Sequence, residues 1–142
     1  MSTRAMYTFS DDSGANHVYK HHDGYPYCKF PKGEGGGLVW IKKSLEYAWE
    51  LPRFEADEFA AAFVAANKEP RQGGVRLVNK VHPWEFASDC EYWYKVSKLP
   101  TLDVWVDVYS VTWWGNHRKE ELVLSGALSE LLAHKRARKE VA

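Results

Sequence analysis

The sequence predicts an α+β fold: an antiparallel sheet of about six strands, with helices packed on one face. Two observations carry this. Period-two and period-3.6 segments are segregated along the chain, in the order ββ-αα-ββββ-α, which favours an antiparallel sheet over alternating βαβ units. The 142 residues also match one domain, expected over 1–142, with 45% hydrophobic and 27% charged side chains. A chain of that length buries roughly 68–70% of its unfolded surface and needs no staple.

The elements follow in order. Residues 4–10 alternate, with Ala5, Tyr7 and Phe9 on one face. Asp11-Asp12-Ser13-Gly14 makes a turn, and residues 16–21 return as the second arm of a hairpin. Asp23-Gly24 ends that strand and Pro26 blocks its continuation. The run Lys32-Gly33-Glu34-Gly35-Gly36-Gly37 leads into a helix over 38–50, with Leu38, Ile41, Leu45 and Trp49 on its apolar stripe and Pro52 ending it. A second helix spans 55–68. Glu55, Asp57 and Glu58 suit its positive end, and Phe59, Ala60, Phe63 and Val64 suit its buried face.

The second half reads as strands at 75–78, 89–97, 101–113 and 119–124. Ser125 is the expected N-cap of a last helix over 126–139, with Leu128, Leu131 and Leu132 inward. In the strand at 101–113, Leu102, Val104, Val106 and Val108 share the face expected against the helices. Asp103, Trp105, Asp107, Tyr109, Val111 and Trp113 share the other. In the preceding strand Trp93 sits among Glu91 and Lys95.

Charge and cysteine content exclude some functions. Nineteen basic and nineteen acidic side chains balance, which argues against a general nucleic-acid binder and against an acidic nucleic-acid mimic. The basic run His134 to Lys139 reads as a solvated helix end, with a phosphate contact as its alternative. The two cysteines, Cys28 and Cys90, form neither a disulfide framework nor a metal spacing. No apolar run reaches membrane-spanning length, and MSTRAMYTFSDD has no apolar signal core, so the expected location is cytoplasmic. Neither a cofactor nor a membrane partner is expected.

Seven Trp, eight Tyr and six Phe are the compositional signal. The mixed face carrying Trp93, Trp105 and Trp113 has three readings. It is a minor core under a loop or against a second copy, a stacking platform for bases, or a protein-binding surface.

The stretch Val18-Tyr19-Lys20-His21-His22-Asp23-Gly24-Tyr25-Pro26-Tyr27-Cys28 concentrates polar chemistry. Its structural reading is a tight Asp-Gly turn with Tyr25 and Tyr27 packed beside it. As a metal site it is poor. His21 and His22 point to opposite sides of a strand, and a third ligand would have to come from Cys28, His17 or His117. As acid–base machinery, His21 beside Asp23 would need a nucleophile from Cys28 or a processed N-terminus at Ser2 or Thr3. The glycine run lacks the Gly-Lys-Ser/Thr ending of a phosphate loop, yet it precedes a helix N-terminus. Loop, turn and helix end are therefore expected to line one pocket with Arg4.

Thr3-Arg4-Ala5 before an aromatic strand, the Tyr19-x-His21-x-Asp23-Gly24-Tyr25-Pro26 pattern and the acidic-aromatic run Asp89 to Val96 together resemble a group of small phage and bacterial proteins. The likeness covers roughly the first 110 residues. It implies a phage or prophage setting inside a bacterial host, and no activity. It also implies that Arg4, His21, Asp23 and Tyr25 act together. The resulting expectation is a small non-enzymatic binding protein that inhibits host antiviral defence. Arg4, His21, Asp23, Tyr25, Trp93 and Trp105 would be its ligand-binding residues, and a host protein or a nucleotide-like molecule its partner. A hydrolase using His21 and Asp23 is one alternative, and a homodimer-forming structural domain another.

Overall fold

The computed structural model describes residues 3–27, 35–78, 82–86, 89–115 and 117–141. The chain runs β1 (Ala5–Asp11), β2 (Gly14–Lys20), α1 (Gly37–Ser44), α2 (Ala56–Asn67), β3 (Val75–Leu77), α3 (Pro83–Phe86), β4 (Tyr92–Lys98), β5 (Val104–Trp114), β6 (His117–Ala127) and α4 (Leu128–Val141). The α+β class holds, and a six-stranded sheet has the order β3-β2-β1-β4-β5-β6. Among the described residues, no helix is long and apolar enough to cross a membrane.

The sheet is mixed rather than wholly antiparallel. β1 and β4 run parallel, from Ala5 opposite Tyr92 to Phe9 opposite Val96. The remaining pairs are antiparallel. The parallel pair follows from connectivity. The helices between β2 and β4 carry the chain back across one face, so β4 enters beside β1 in the same direction.

The helix-side core takes Ala5, Tyr7 and Phe9 from β1, Val104, Val106 and Val108 from β5, and Phe59 and Phe63 from α2. Tyr7 stacks on Tyr94 at 4.6 Å between ring centroids and meets Phe63 at 4.4 Å. The predicted alternation along β5 is therefore observed, except that Leu102 lies before the strand and is exposed.

Several boundaries move for local reasons. α1 stops at Ser44, whose hydroxyl donates to the Trp40 carbonyl, and turns follow over 45–47. Trp49 is thus off the helix stripe, with the Arg53 guanidinium stacked on its ring at 3.5 Å. Ser125 is not a helix cap. It lies inside β6, which runs longer than expected, and its hydroxyl donates to Asp107. The α4 N-terminus is met instead by Asp103, whose carboxylate accepts from the Ser129 N–H and hydroxyl. The short helix α3, which opens on Pro83, had no counterpart in the periodicity.

Helix α2 is capped from a distance. Glu55 precedes it without a side-chain cap bond, while Asp11 at the end of β1 accepts from the Ala56 N–H at 2.8 Å and the Ser13 N–H at 2.8 Å. The backbone donors at Ala56 and Ser13 hold the Asp11 carboxyl below the usual carboxylate range. Its stabilising contribution is therefore present above the ordinary Asp pKa and lost as pH falls through the depressed one. Asp11→Ala should lower the Tm at pH 7. The gap to wild type should narrow as thermal unfolding is followed down to acid pH, and a gap independent of pH would contradict the cap.

Candidate functional site

The turn after β2 is built by its neighbours. Gly24 N–H donates to the Thr3 carbonyl at 2.8 Å, and the buried Tyr94 hydroxyl donates to the Gly24 carbonyl. Asp23 takes a left-handed backbone with φ 56°, and its carbonyl accepts from the Trp40 indole at 3.0 Å. The next two carbonyls receive the start of α1: Gly37 N–H donates to Tyr25 at 2.8 Å and Leu38 N–H to Pro26 at 3.4 Å. The first N–H groups of α1 are thus consumed inside the protein, which removes the anion site expected at that helix end.

Of the proposed ligand-binding residues, the structure gathers some and separates others. Arg4 and His21 lie together. Arg4 Nε approaches His21 Nδ1 at 3.3 Å and pairs with Asp89 at 3.0 Å. The Tyr19 hydroxyl also meets His21 Nδ1, at 2.8 Å. A guanidinium can only donate, so Nδ1 is the acceptor and the imidazole proton sits on Nε2. Asp23 and Tyr25 form a different pair, with the Tyr25 hydroxyl donating to Asp23 at 2.9 Å. This pair sits on the helix side, near Gly35 and Trp40. His21 instead joins residues of the opposite sheet face, so His21 and Asp23 do not form an acid–base couple. Most of the glycine loop expected to join Arg4 and the α1 end, residues 28–34, lies outside the described residues.

The nucleophile candidates at Cys28 and Ser2 lie outside the described residues. Cys90 is fully buried, and burial together with the nearby Asp89 charge pushes its thiol well above the ordinary value. Among the described residues, no group of three or more His, Cys, Asp or Glu is gathered for a metal ion.

The remaining candidates, Trp93 and Trp105, lie on the sheet face away from the helices, and that face is half covered. Met6, Tyr19, Val78 and Cys90 form a second small core there. Trp84 of α3 closes over it, edge-on to Trp93 at 5.2 Å and to Trp113 at 5.8 Å. Arg118 lies against Trp84 at 4.1 Å. The indole N–H of Trp93 donates to Thr8, which itself bonds His17. That of Trp113 donates to the Cys90 carbonyl. Trp93 and Trp113 are therefore minor-core residues, one of the readings open from sequence.

Trp105 is not covered. Its N–H reaches only along its own strand, to Asp107 at 3.0 Å, and the residue is 37% exposed. The register places Tyr109 opposite Leu122 of β6, where an irregularity leaves Val123 as an extra residue. Leu122 is 52% and Val123 45% exposed. Lys95 spans Trp93 and Tyr109, 4.1 Å and 5.0 Å from their ring centres. An open aromatic and aliphatic strip thus borders the covered half. Alternation along β5 pointed to Trp105 and Tyr109, but the bulge that exposes Leu122 and Val123 left no mark in the sequence pattern.

In comparisons with protein-family models, curated proteins and solved structures, none matches the chain.

Partial burial and the Arg4 charge, with smaller help from His22, hold the His21 imidazole below its ordinary pKa of 6.5. NMR titration should place the His21 midpoint below 6.5. Arg4→Gln should move its midpoint upward, because a repelling cation is removed while Asp89 remains. A midpoint unmoved by Arg4→Gln would contradict the assigned contact.

Proposed function

We propose that this chain is a small binding protein without catalytic machinery, and that its recognition surface is the open strip of Trp105, Tyr109, Leu122 and Val123. The observation that carries the reading is the uneven cover of one sheet face. The half beneath Trp84 is closed, while the half along β5 and β6 leaves large apolar side chains in contact with water. Aromatic anchors rimmed by charges, here Lys95 and Asp107, suit a protein partner. A nucleotide base is less well served, because Trp93 is already held edge-on by Trp84 and beneath Lys95, which leaves Trp105 without a second ring to complete a stack. The phage setting implied by the Tyr-x-His-x-Asp-Gly-Tyr-Pro resemblance makes a bacterial host protein, and in particular a defence effector, the expected partner.

The separation of His21 from Asp23 supports binding over hydrolysis. Affinity capture from host lysate with wild type, Trp105→Ala and Leu122→Ser tests the surface. A host protein held by wild type should be lost, by at least about tenfold, in both folded variants. Equal capture by all three proteins would overturn the surface assignment.

A further inference from the structure

Strand β6 is one edge of the sheet, and among the described residues no strand pairs with its outer side. The opposite edge, β3, is 3 residues long, whereas β6 spans 11. Helix α4 turns inward from the end of β6 and packs on β5 and α1. A row of backbone N–H and C=O groups along β6 thus faces outward without a ladder partner among the described residues.

Two features bound the stretch that could take a new strand. The hairpin turn at Gly115 lies before it, and the extra residue Val123 interrupts the ladder after Leu122. Between them, His117 to Leu122 keep a regular register with β5.

The side chains of this stretch are ordered by charge. Arg118 and Lys119 come first, Glu120 and Glu121 follow, and Leu122 ends it. Arg118 and Glu120, opposite Trp113 and Val111, lie on the aromatic face and pair with each other. Lys119 and Glu121, opposite Thr112 and Ser110, lie on the helix face. Both are exposed, and among the described residues neither has an ion-pair partner. Charges of one sign along an edge would repel a second copy of the same edge. A basic half followed by an acidic half does the opposite, because an antiparallel copy sets each half against the other.

We propose that β6 pairs antiparallel with β6 of a second copy, about a two-fold axis at Glu120. An axis that continues a sheet stands perpendicular to it, so each face stays on its own side and the axis falls at one residue. At Glu120 it centres the stretch Arg118 to Leu122. Lys119 then faces Glu121 of the second copy, and the exposed Leu122 is covered by the aliphatic stem of Arg118 of the second copy, each twice. The two Glu120 carboxylates meet at the axis, each already paired with its own Arg118. An axis at Lys119 is poorer. It would oppose two ammonium groups without partners and leave Leu122 bare. With the axis at Glu120, the open strips of the two copies join on one face of a continuous sheet.

Sedimentation of the full chain tests the pairing. It should run as a dimer at about 0.5 mM and as a monomer at about 5 µM, the range of a small and charge-rich interface. Lys119→Glu and Glu121→Lys should each weaken the dimer at least about tenfold, because each sets like charges opposite one another. The double swap K119E/E121K restores opposite charges and should bring the dimer back to within about threefold of wild type. Trp105→Ala, on β5 and away from the edge, should leave the dimer intact, so loss of the dimer and loss of host-protein capture read out separately. A wild-type monomer at about 0.5 mM would leave the edge to a foreign strand and overturn the proposal. A dimer unmoved by both single swaps, or one that the double swap fails to restore, would overturn it as well.

Discussion

The rest of the structure depends on one junction, where the Tyr94 ring packs on Gly37 and its hydroxyl reaches Gly24. Its hydroxyl donates to the Gly24 carbonyl from a fully buried position. A Cβ on Gly37 would lie 2.1 Å from the ring, and a Cβ on Gly24 would lie 2.7 Å from that of Ala5. Neither position has room for a methyl group, and the neighbouring atoms belong to the core and cannot swing aside. Through this contact the central strand β4 holds the turn after β2, and the turn holds the first residues of α1. The Tyr7 stack on Tyr94 carries the same contact into the helix-side core.

This constraint explains why the most chemically suggestive stretch of the chain serves architecture first. The carbonyls of Asp23, Gly24, Tyr25 and Pro26 all receive hydrogen bonds from other elements. With its backbone held in this way, the segment sends His21 toward Arg4 on one side and Asp23 toward Trp40 on the other. A strand would have kept the two side chains on one face. The left-handed turn at Asp23 parts them, and with them the acid–base pair that the sequence spacing offered.

The α+β class and the inward faces of β1 and β5 were legible because alternation of buried aliphatics needs only strand geometry. Long-range partners were not. Asp11 caps α2 across 45 positions and Asp103 caps α4 across 26, and no local signal marks a cap supplied by a distant turn. The parallel β1–β4 pair was hidden for the same reason, since strand order depends on how the helices return the chain. Of the aromatic face, alternation identified the residues but could not say which of them Trp84 would cover.

The most direct measurement is a double-mutant cycle by equilibrium unfolding on Gly37→Ala and Tyr94→Leu. If the Tyr94 ring on Gly37 is the organising contact, Gly37→Ala alone should destabilise the fold by about 1–3 kcal/mol through overpacking. In the Tyr94→Leu background most of that cost should vanish, giving a coupling of about 1–3 kcal/mol. Costs that simply add would mean that Gly37 does not meet the Tyr94 ring, and the junction would not be what joins the turn, the sheet and α1.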